Sequence, residues 1–198
     1  MGALLTPENE PVRSYAPGTT ERASLKARLA TLAGERIDIP LVIGGRDIGG
    51  RGTAPCVMPH AHRHVLADYH LAQAADVTAA IDAARAAHRD WASRSLADRS
   101  AVFLRAADLL ATSWRDVLNA ATMLGQSKTA HQAEIDAACE TIDFWRFNVH
   151  FARDLEAQQP RHSADARNQL DYRPLEGFVY AVTPFNFTSI AANLPTAP

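Results

Sequence analysis

Residues 175–187 read LEGFVYAVTPFNF, and this stretch decides the fold that the sequence predicts. Positions 178–182 form an unbroken apolar run with β-branched and aromatic residues, which is typical of a strand covered on both faces. Pro184 lacks a backbone donor and ends the strand, and Thr188 can cap a helix over 189–192. A buried strand that leads through a turn into a helix is the opening unit of an α/β nucleotide-binding fold. The stretch therefore predicts the start of a parallel sheet with a ligand at its carboxyl edge.

Asn186 lies at the exit of the predicted strand, where ligands of α/β folds bind. Its side-chain amide could donate a hydrogen bond to an oxyanion that develops during a reaction. An ordinary turn residue is the alternative, because Asn is common in turns. Spacing alone favours the turn residue, since short motifs often match by chance.

The composition is that of an ordinary globular protein. The chain has 198 residues, 47% of them hydrophobic, and a formal net charge of −2, which gives no electrostatic reason to expect nucleic acid or an anionic membrane as a partner. No apolar run approaches the roughly 20 residues that span a bilayer, and residues 1–17 have no signal-peptide core. Cys56 and Cys139 provide no disulfide framework, so the expected location is cytoplasmic.

The order of the patterns along the chain predicts five consecutive segments. They are an arm with a short helix over 1–36, a β-hairpin and edge-strand region over 37–72, a helical part over 73–157, a loop over 158–174, and the first strand, turn and helix of a nucleotide-binding sheet over 175–198. The arm is expected to be extended or mobile up to about Pro17, and Ile37 to Ile43 to form one strand. The longest helix is predicted over 129–157, because Thr129 and Gln132 can form a capping box.

Three histidines alternate within a predicted strand. His60, His62 and His64 would share one face, and imidazoles on one face can bind zinc or copper. A solvated edge strand or an intersubunit surface is the alternative, and it is favoured because no carboxylate or thiol completes a tetrahedral set at the usual spacing. We therefore predict no metal site, and a His-based metal-binding module remains a less favoured function.

Glu140 extends an aromatic stripe of the longest helix that contains Phe144, Phe147 and Phe151. Because this helix is apolar on most sides, we expect it to be buried. A buried carboxylate must be paired, protonated or bound to a ligand. These rules favour a structural ion pair over a ligand contact. The neighbouring Cys139 points toward the opposite stripe and is predicted to be an inert core thiol.

Two stretches resemble the aldehyde dehydrogenase superfamily. Residues 176–188 (EGFVYAVTPFNFT), followed by NLPTAP at 193–198, resemble the first signature block of the family, and the Phe-Asn-Phe-Thr version is similar to its L-glutamate γ-semialdehyde dehydrogenase branch. Residues 132–148 (QAEIDAACETIDFWRFN) are similar to the corresponding helix of the same branch. The resemblance extends from about Ile37 to Pro198.

The resemblance implies a substrate site. Asn186 matches the amide that stabilises the oxyanion, Glu140 matches the carboxylate that faces the α-amino group, and Phe187 matches the aromatic wall beside the aldehyde. The positions that border the NAD cofactor are matched by Thr183, Pro184 and Phe185. The implied partners are the small-molecule substrate L-glutamate γ-semialdehyde and further copies of the chain in a homo-oligomer, with an oligomerisation flap within 158–174.

The resemblance covers only part of the family's catalytic machinery. In the family, a Cys thiolate attacks the aldehyde and a Glu activates the water that releases the acid, and both belong to segments beyond the matched part. We therefore expect an N-terminal fragment of an oxidoreductase of proline catabolism, inactive as the isolated chain. Its expected fold class is α/β: the N-terminal helical part and first βα unit of a Rossmann-like aldehyde dehydrogenase fold, incomplete. The alternative is a non-catalytic truncated paralogue that associates with a full-length aldehyde dehydrogenase.

Overall fold

The computed structural model describes residues 6–196. Its elements in chain order are α1 (Thr20–Gly34), β1 (Ile37–Ile39), β2 (Leu41–Ile43), β3 (Arg46–Ile48), β4 (Thr53–Met58), β5 (Ala61–His70), α2 (Ala74–Ser93), α3 (Leu96–Ala111), α4 (Arg115–Gln126), α5 (Ala130–Ala133), a π-helix (Glu134–Cys139), α6 (Glu140–Ala157), a 3₁₀-helix (Ile190–Ala192) and α7 (Asn193–Thr196). Helices and two small sheets agree with the predicted α/β class, and the five-segment division stays a prediction.

Several helix starts follow from capping side chains that the sequence contains. Thr19 Oγ1 accepts a hydrogen bond from the backbone of Arg22 at the start of α1, and Ser95 does the same for Asp98 in α3. The predicted capping box of Thr129 and Gln132 is confirmed at the start of α5. The single helix predicted over 129–157 is wrong in one respect, because a π-helix separates α5 from α6.

The strands form a three-stranded sheet and a separate two-stranded hairpin. β1 pairs with β5 in parallel, β4 pairs with β5 antiparallel, and β2 and β3 form a separate antiparallel pair. The hairpin turn uses Gly44 and Gly45, whose φ angles of 59° and 73° favour glycine. The single strand predicted from Ile37 to Ile43 is wrong, because Pro40 cannot donate to a ladder and the two halves pair with different strands.

Two clusters of buried side chains hold the helices together. In the first, Ala107 and Leu110 of α3 pack against Ala138 and Ile142, at the junction of the π-helix and α6. The second joins Tyr15 of the N-terminal arm to α1 and α4. Alanines at these contacts let the helix axes approach closely. Within residues 6–196, no helix is long and apolar enough to cross a membrane.

The strand predicted over 178–182 is not formed. Residues 158–189 contain no helix or strand, and Tyr180 in the middle of the apolar run is 82% exposed. A lone strand has no hydrogen-bonding neighbour, so an apolar run alone does not establish one. The helix that follows is a single 3₁₀ turn with Ser189, not Thr188, at its N-cap position, and it leads into α7.

Candidate functional site

The turn that contains Asn186 is attached to the long helical segment. Phe185 and Asn186 form the turn, and the hydroxyl of Ser189 just beyond it donates to the carbonyl oxygen of Ala137 at 2.6 Å. The same hydroxyl lies 3.2 Å from Oγ1 of Thr141, and Ser189 is buried. This contact fixes the chain just after the turn on the π-helix and the first turn of α6.

A second attachment comes from the C-terminal end of α4. Lys128 Nζ donates to the backbone carbonyl oxygen of Asn186 at 2.6 Å and to the Asp136 carboxylate at 2.5 Å. The same ammonium lies 4.4 Å from the centroid of the Phe187 ring, a cation–π distance. Lys128 therefore connects the Asn186 turn to the helical segment that contains Glu140.

Gln126 contacts the same turn through its side-chain amide. With the amide nitrogen facing the Asn186 carbonyl at 3.1 Å, the amide oxygen accepts from the N–H groups of Phe187 and Thr188, both at 3.2 Å. Ser127 between Gln126 and Lys128 has a left-handed backbone (φ 56°), which reverses the chain direction at the end of α4. The segment 126–128, which we name the α4 clamp, thus holds residues 186–188.

Glu140 is the first residue of α6 and is half-buried. Burial raises the pKa of its carboxyl, and the negative charges of Asp136 and Asp143 raise that pKa further, while the charge of Lys128 lowers it. The structural ion pair favoured by the burial rules is not observed, since no Arg or Lys pairs with Glu140 within residues 6–196. A group of acidic side chains with a raised carboxyl pKa is an environment in which a bound cation is favourable.

The aromatic stripe next to Glu140 is only partly covered. Phe144 is 39% exposed and Phe151 is 53% exposed, so the expectation that this side of the helix is fully buried is wrong for the described residues. Glu140 consequently lies at the edge of the core, where a carboxylate can remain ionised and accessible.

The residues proposed to border a cofactor lie on the surface. The side chains of Thr183, Pro184 and Phe185 are exposed, and Phe185 reaches 96% exposure. Asn186 is also exposed, whereas Phe187 is half-buried beneath the Lys128 ammonium. The structure therefore places Asn186 and Phe187 on the α4 clamp, and the roles of all five residues remain predictions.

A buried charge cluster, which the sequence analysis missed, holds the N-terminal arm in place. Glu134 is 0% exposed and accepts hydrogen bonds from Arg115, Asn119, the Tyr15 hydroxyl and the Arg13 backbone. Arg115, itself 1% exposed, also donates to Glu10 at 2.5 Å. The arm over residues 6–19 contains no helix or strand, and these contacts anchor it, so the expectation of a mobile arm is wrong for this segment.

Burial and pairing act in opposite directions within this cluster. Burial alone raises the pKa of Glu134, but hydrogen bonds from Arg115, the Arg13 backbone and Tyr15 lower that pKa below its usual value. Burial also disfavours the charged form of Arg115 and so lowers its pKa. The hydrogen bond and negative charge of Glu134 outweigh this effect, so the pKa of Arg115 is raised overall. The pair is therefore fully charged in the interior. A usable sequence signal existed, because Glu134 lies four and seven residues before the inward-facing Ala138 and Thr141.

The π-helix begins at Glu134 and ends immediately before Glu140. A π turn contains an extra residue compared with an α turn, so it changes the direction in which the following side chains point, and such turns are frequent at functional sites. Glu134 anchors the start of this turn through Arg115, and Ser189 binds the carbonyl of Ala137 within it. The direction of Glu140 thus depends on a segment that is fixed at two points.

Cys139 does not have the environment of an activated nucleophile. Cys139 is 4% exposed, and burial together with the charge of Glu134 raises its pKa to about 12, so the thiol stays protonated near neutral pH. This confirms the predicted core thiol. Cys56 lies in β4 and is partly buried.

Of the three histidines predicted to share a strand face, only His62 and His64 lie on β5. His60 lies in the β4–β5 turn, where its Nδ1 is 2.7 Å from the Ser127 hydroxyl, so it supports the α4 clamp. His62 is exposed and His64 half-buried on β5. In the part of the chain that the structure describes, no three His, Cys, Asp or Glu side chains are arranged to hold a metal ion.

Comparisons with known proteins agree on one family. Residues 49–198 match the model of the aldehyde dehydrogenase family. The mitochondrial delta-1-pyrroline-5-carboxylate dehydrogenase of Emericella nidulans is 49% identical over 193 residues, which is 96% of this chain and 34% of that protein. The mitochondrial human protein of the same name is 44% identical over 190 residues, again 96% of this chain and 34% of the relative.

A solved structure matches almost the whole chain. The crystal structure of the delta-pyrroline-5-carboxylate dehydrogenase from Mycobacterium tuberculosis bound with NAD is 56% identical and superposes with a TM-score of 0.95, covering 99% of this chain and 37% of that chain. The chain therefore spans about a third of the length of the relatives that it matches.

Proposed function

Because the chain belongs to the aldehyde dehydrogenase family, we propose that it provides part of the active site for the NAD-dependent oxidation of L-glutamate γ-semialdehyde to L-glutamate, a reaction of proline catabolism. The observation that supports this most strongly is the Lys128 connection. Lys128 binds the turn of the oxyanion residue Asn186 and is also the charge that lowers the pKa of Glu140. Two groups suited to opposite ends of a short amino-acid aldehyde are thus linked through one side chain.

The proposed roles follow from the charge that each end of the substrate carries. When a nucleophile attacks the aldehyde carbon, the oxygen becomes negative, and the Asn186 side-chain amide donates a hydrogen bond to it. At the other end, the ionised Glu140 binds the α-ammonium group, which relieves the repulsion from Asp136 and Asp143. The Phe187 ring, held beneath Lys128, forms an apolar wall beside the aldehyde.

We assign to this chain only one wall of the NAD site. NAD, when bound, accepts the hydride that leaves the aldehyde carbon. The exposed ring of Phe185, with Thr183 and Pro184, fits one wall beside a flat nicotinamide ring. Support for NAD comes from the Mycobacterium tuberculosis relative, whose crystal structure contains it.

Two broader expectations belong to the same proposal. We propose that the exposed side chains of residues 158–174 form a flap between copies of a homo-oligomer. We also propose a cytoplasmic location, which the two free cysteines support, although relatives such as the human protein are named mitochondrial. Neither nucleic acid nor a membrane is proposed as a partner, since the formal net charge is only −2.

The test uses a chimera in which residues 6–196 of this chain replace the matching segment of the Mycobacterium tuberculosis enzyme. The TM-score of 0.95 makes this replacement geometrically reasonable. We expect NADH formation with L-glutamate γ-semialdehyde. The 198-residue polypeptide alone is the control, and we expect it to form no NADH, since the Cys139 thiol is buried and protonated and Cys56 is not in the family's nucleophile context. A folded chimera that oxidises simple aldehydes but not this substrate would contradict the proposal.

An interaction role is the second candidate. Apolar side chains of the segment 175–185 are strongly exposed, including Tyr180, Val182 and Phe185. Such a surface favours association with another protein. A polypeptide of residues 1–198 that co-purifies with a full-length aldehyde dehydrogenase, and leaves its kcat unchanged, would support this role instead.

Replacing Glu140 by Gln in the chimera should weaken substrate binding selectively. A hydrogen bond to a charged group is worth about 1.5–3 kcal/mol, which corresponds to a rise of KM of roughly 10- to 100-fold. The KM for an aldehyde without an amino group should stay unchanged, because only the ammonium contact is lost. Steady-state kinetics with both substrates measure this, and equal losses for the two aldehydes would argue against the assigned role.

The same carboxylate predicts a pH dependence of binding. Because burial and two neighbouring acids raise the pKa of Glu140, it takes up a proton at a higher pH than an ordinary glutamate does. Only the ionised form attracts the ammonium, so the KM for L-glutamate γ-semialdehyde should rise as the pH falls through this raised pKa. The Glu140→Gln chimera should lack this step in its KM profile.

A further inference from the structure

Lys128 has an unusual environment for a lysine in this protein. The chain has only two lysines, Lys26 and Lys128, and Lys26 is exposed on α1. The side chain of Lys128 is only 15% exposed, and its ammonium has three partners: the Asp136 carboxylate, the Asn186 carbonyl and the Phe187 ring. A lysine that loses so much hydration is normally paired, and here a carboxylate neutralises it.

The three partners belong to two parts of the chain that are distant in sequence. Asp136 lies within the π-helix that precedes Glu140, whereas Asn186 and Phe187 lie fifty residues later in a segment without regular structure. Lys128 and Asp136 are only eight residues apart, so their contact is local in sequence. Lys128 thus links the Asn186 backbone to the helical segment.

Other contacts direct Lys128 and Gln126 toward the same turn. The left-handed backbone of Ser127 reverses the chain between them, and the Ser127 hydroxyl lies 2.7 Å from His60 of the β4–β5 turn. A non-glycine residue in this conformation is uncommon, and such residues occur where the surrounding structure requires a particular backbone direction. The α4 clamp is therefore itself supported by the sheet.

We propose that Lys128 is a positioning residue for the site, which holds the Asn186 backbone so that the side-chain amide points toward the aldehyde oxygen. This inference rests on the proposed function, in which Asn186 is the oxyanion donor. Lys128 acts through Asn186 and Phe187 and is not assigned a contact with the substrate. The positive charge of Lys128 also attracts the Glu140 carboxylate and lowers its pKa, so Lys128 interacts with both ends of the proposed site.

A purely structural ion pair with Asp136 is the competing explanation. It accounts for one of the three contacts and leaves those with the Asn186 carbonyl and the Phe187 ring unexplained. The two explanations differ in what Asp136→Asn does, since that variant removes the ion pair and keeps the bond from Lys128 to the Asn186 carbonyl.

The first experiment measures hydrogen exchange in the 198-residue polypeptide, with Lys128→Met, Asp136→Asn and the control Lys26→Met. We expect Lys128→Met to speed exchange of the Phe187 and Thr188 amides by about tenfold or more, because the turn opens when its carbonyl loses the ammonium. Asp136→Asn and Lys26→Met should leave both amides within about twofold of the parent. Unchanged exchange in Lys128→Met, or the same increase in Asp136→Asn, would overturn the proposal. Lys128→Gln replaces the methionine variant if circular dichroism shows that the latter is unfolded.

The second experiment measures the consequence for catalysis in the chimera. A misplacement of about 1 Å can cost on the order of 100-fold in rate, so Lys128→Met should lower kcat by roughly 10- to 100-fold. Because the oxyanion forms with every aldehyde, the loss should be the same for L-glutamate γ-semialdehyde and for propionaldehyde. Lys128→Arg, which keeps a charged donor, should recover most of kcat, and a merely structural lysine would instead change melting temperature without this recovery.

The outcomes separate this proposal from the proposed function. If the parent chimera oxidises propionaldehyde alone, the assignment of the substrate fails, and the effect of Lys128→Met on propionaldehyde still decides the positioning role. If the parent chimera is inactive with both, the exchange rates of Phe187 and Thr188 in the 198-residue polypeptide decide it. A loss confined to KM for the amino-bearing substrate would show that Lys128 acts on Glu140 and not on Asn186, which contradicts the proposal.

Discussion

Replacement of Arg115 by Ala is expected to lower the free energy of unfolding by about 3–5 kcal/mol. The substitution leaves the Glu134 carboxylate, which is 0% exposed, without the cation that compensates its burial. It also removes the hydrogen bonds to Glu10 and to the Pro11 carbonyl at 2.5 and 2.7 Å, so the N-terminal arm loses its anchor. For a chain of this length the melting temperature should fall by roughly 10 °C. Thermal and urea unfolding of the 198-residue polypeptide, followed by circular dichroism, measure this change.

Arg94→Ala is the matched control for the buried arginine. Arg94 pairs with Asp90 one helical turn away, but the two side chains are 51% and 75% exposed. Exposed pairs of this kind contribute about 0–1 kcal/mol, so this variant should be almost as stable as the parent. Equal destabilisation by the two substitutions would show that the Arg115–Glu134 pair has no special energetic role.

Replacement of Asn186 by Ala in the chimera is expected to lower kcat by roughly 100- to 1000-fold, the usual effect of removing one oxyanion donor. Stability should hardly change, because the Asn186 side chain is exposed and Lys128 binds its backbone carbonyl, which the substitution retains. Steady-state NADH formation gives kcat, and thermal unfolding of the same preparation gives the melting temperature.

The control for this variant is Asn9→Ala, which removes another exposed side-chain amide. Asn9 bonds to Asp143 at 2.8 Å, at the surface of the arm. We expect its kcat to remain within about twofold of the parent, since no reacting atom contacts it. The role of Asn186 as oxyanion donor is wrong if Asn186→Ala retains more than about a third of kcat.

Helix starts could be predicted from local chemistry, whereas the apolar run over 178–182 wrongly predicted a strand. Thr129 and Gln132 specify a helix start by themselves, because both hydrogen bonds of the capping box are formed within four residues. Residues 178–182 have the composition of a buried strand, but a strand needs a partner for its backbone groups, and that information is not local. The apolar run is therefore exposed in the described structure.

The charged interior was missed for a related reason. The sequence analysis assigned no position to Glu134 or Arg115, and charged side chains are almost never fully buried unless paired. Their pairing joins an arm without secondary structure to two helices, over a separation of up to 105 residues between Glu10 and Arg115. Helical spacing could have placed Glu134 on the buried face, but it cannot identify a partner so distant in sequence. The π-helix was likewise unpredictable, since its extra residue has no signature in hydrophobic spacing.

For the site, family resemblance identified the residues and the structure added the supports. Asn186 and Glu140 came from sequence blocks, whereas Gln126 and Lys128 became visible only through their contacts with residues 186–188. A lysine near a helix end is ordinarily a solvated surface residue, so nothing in the local sequence indicated its position beneath the turn.

The most direct test of the central claim is a crystal structure of the chimera with the product L-glutamate bound. One γ-carboxylate oxygen occupies the place of the former aldehyde oxygen. We expect the Asn186 side-chain amide to donate to that oxygen at hydrogen-bond distance, and the α-ammonium to lie against the Glu140 carboxylate. A bound glutamate whose ammonium faces another group, or an Asn186 amide turned away from the γ-carboxylate, would contradict the account.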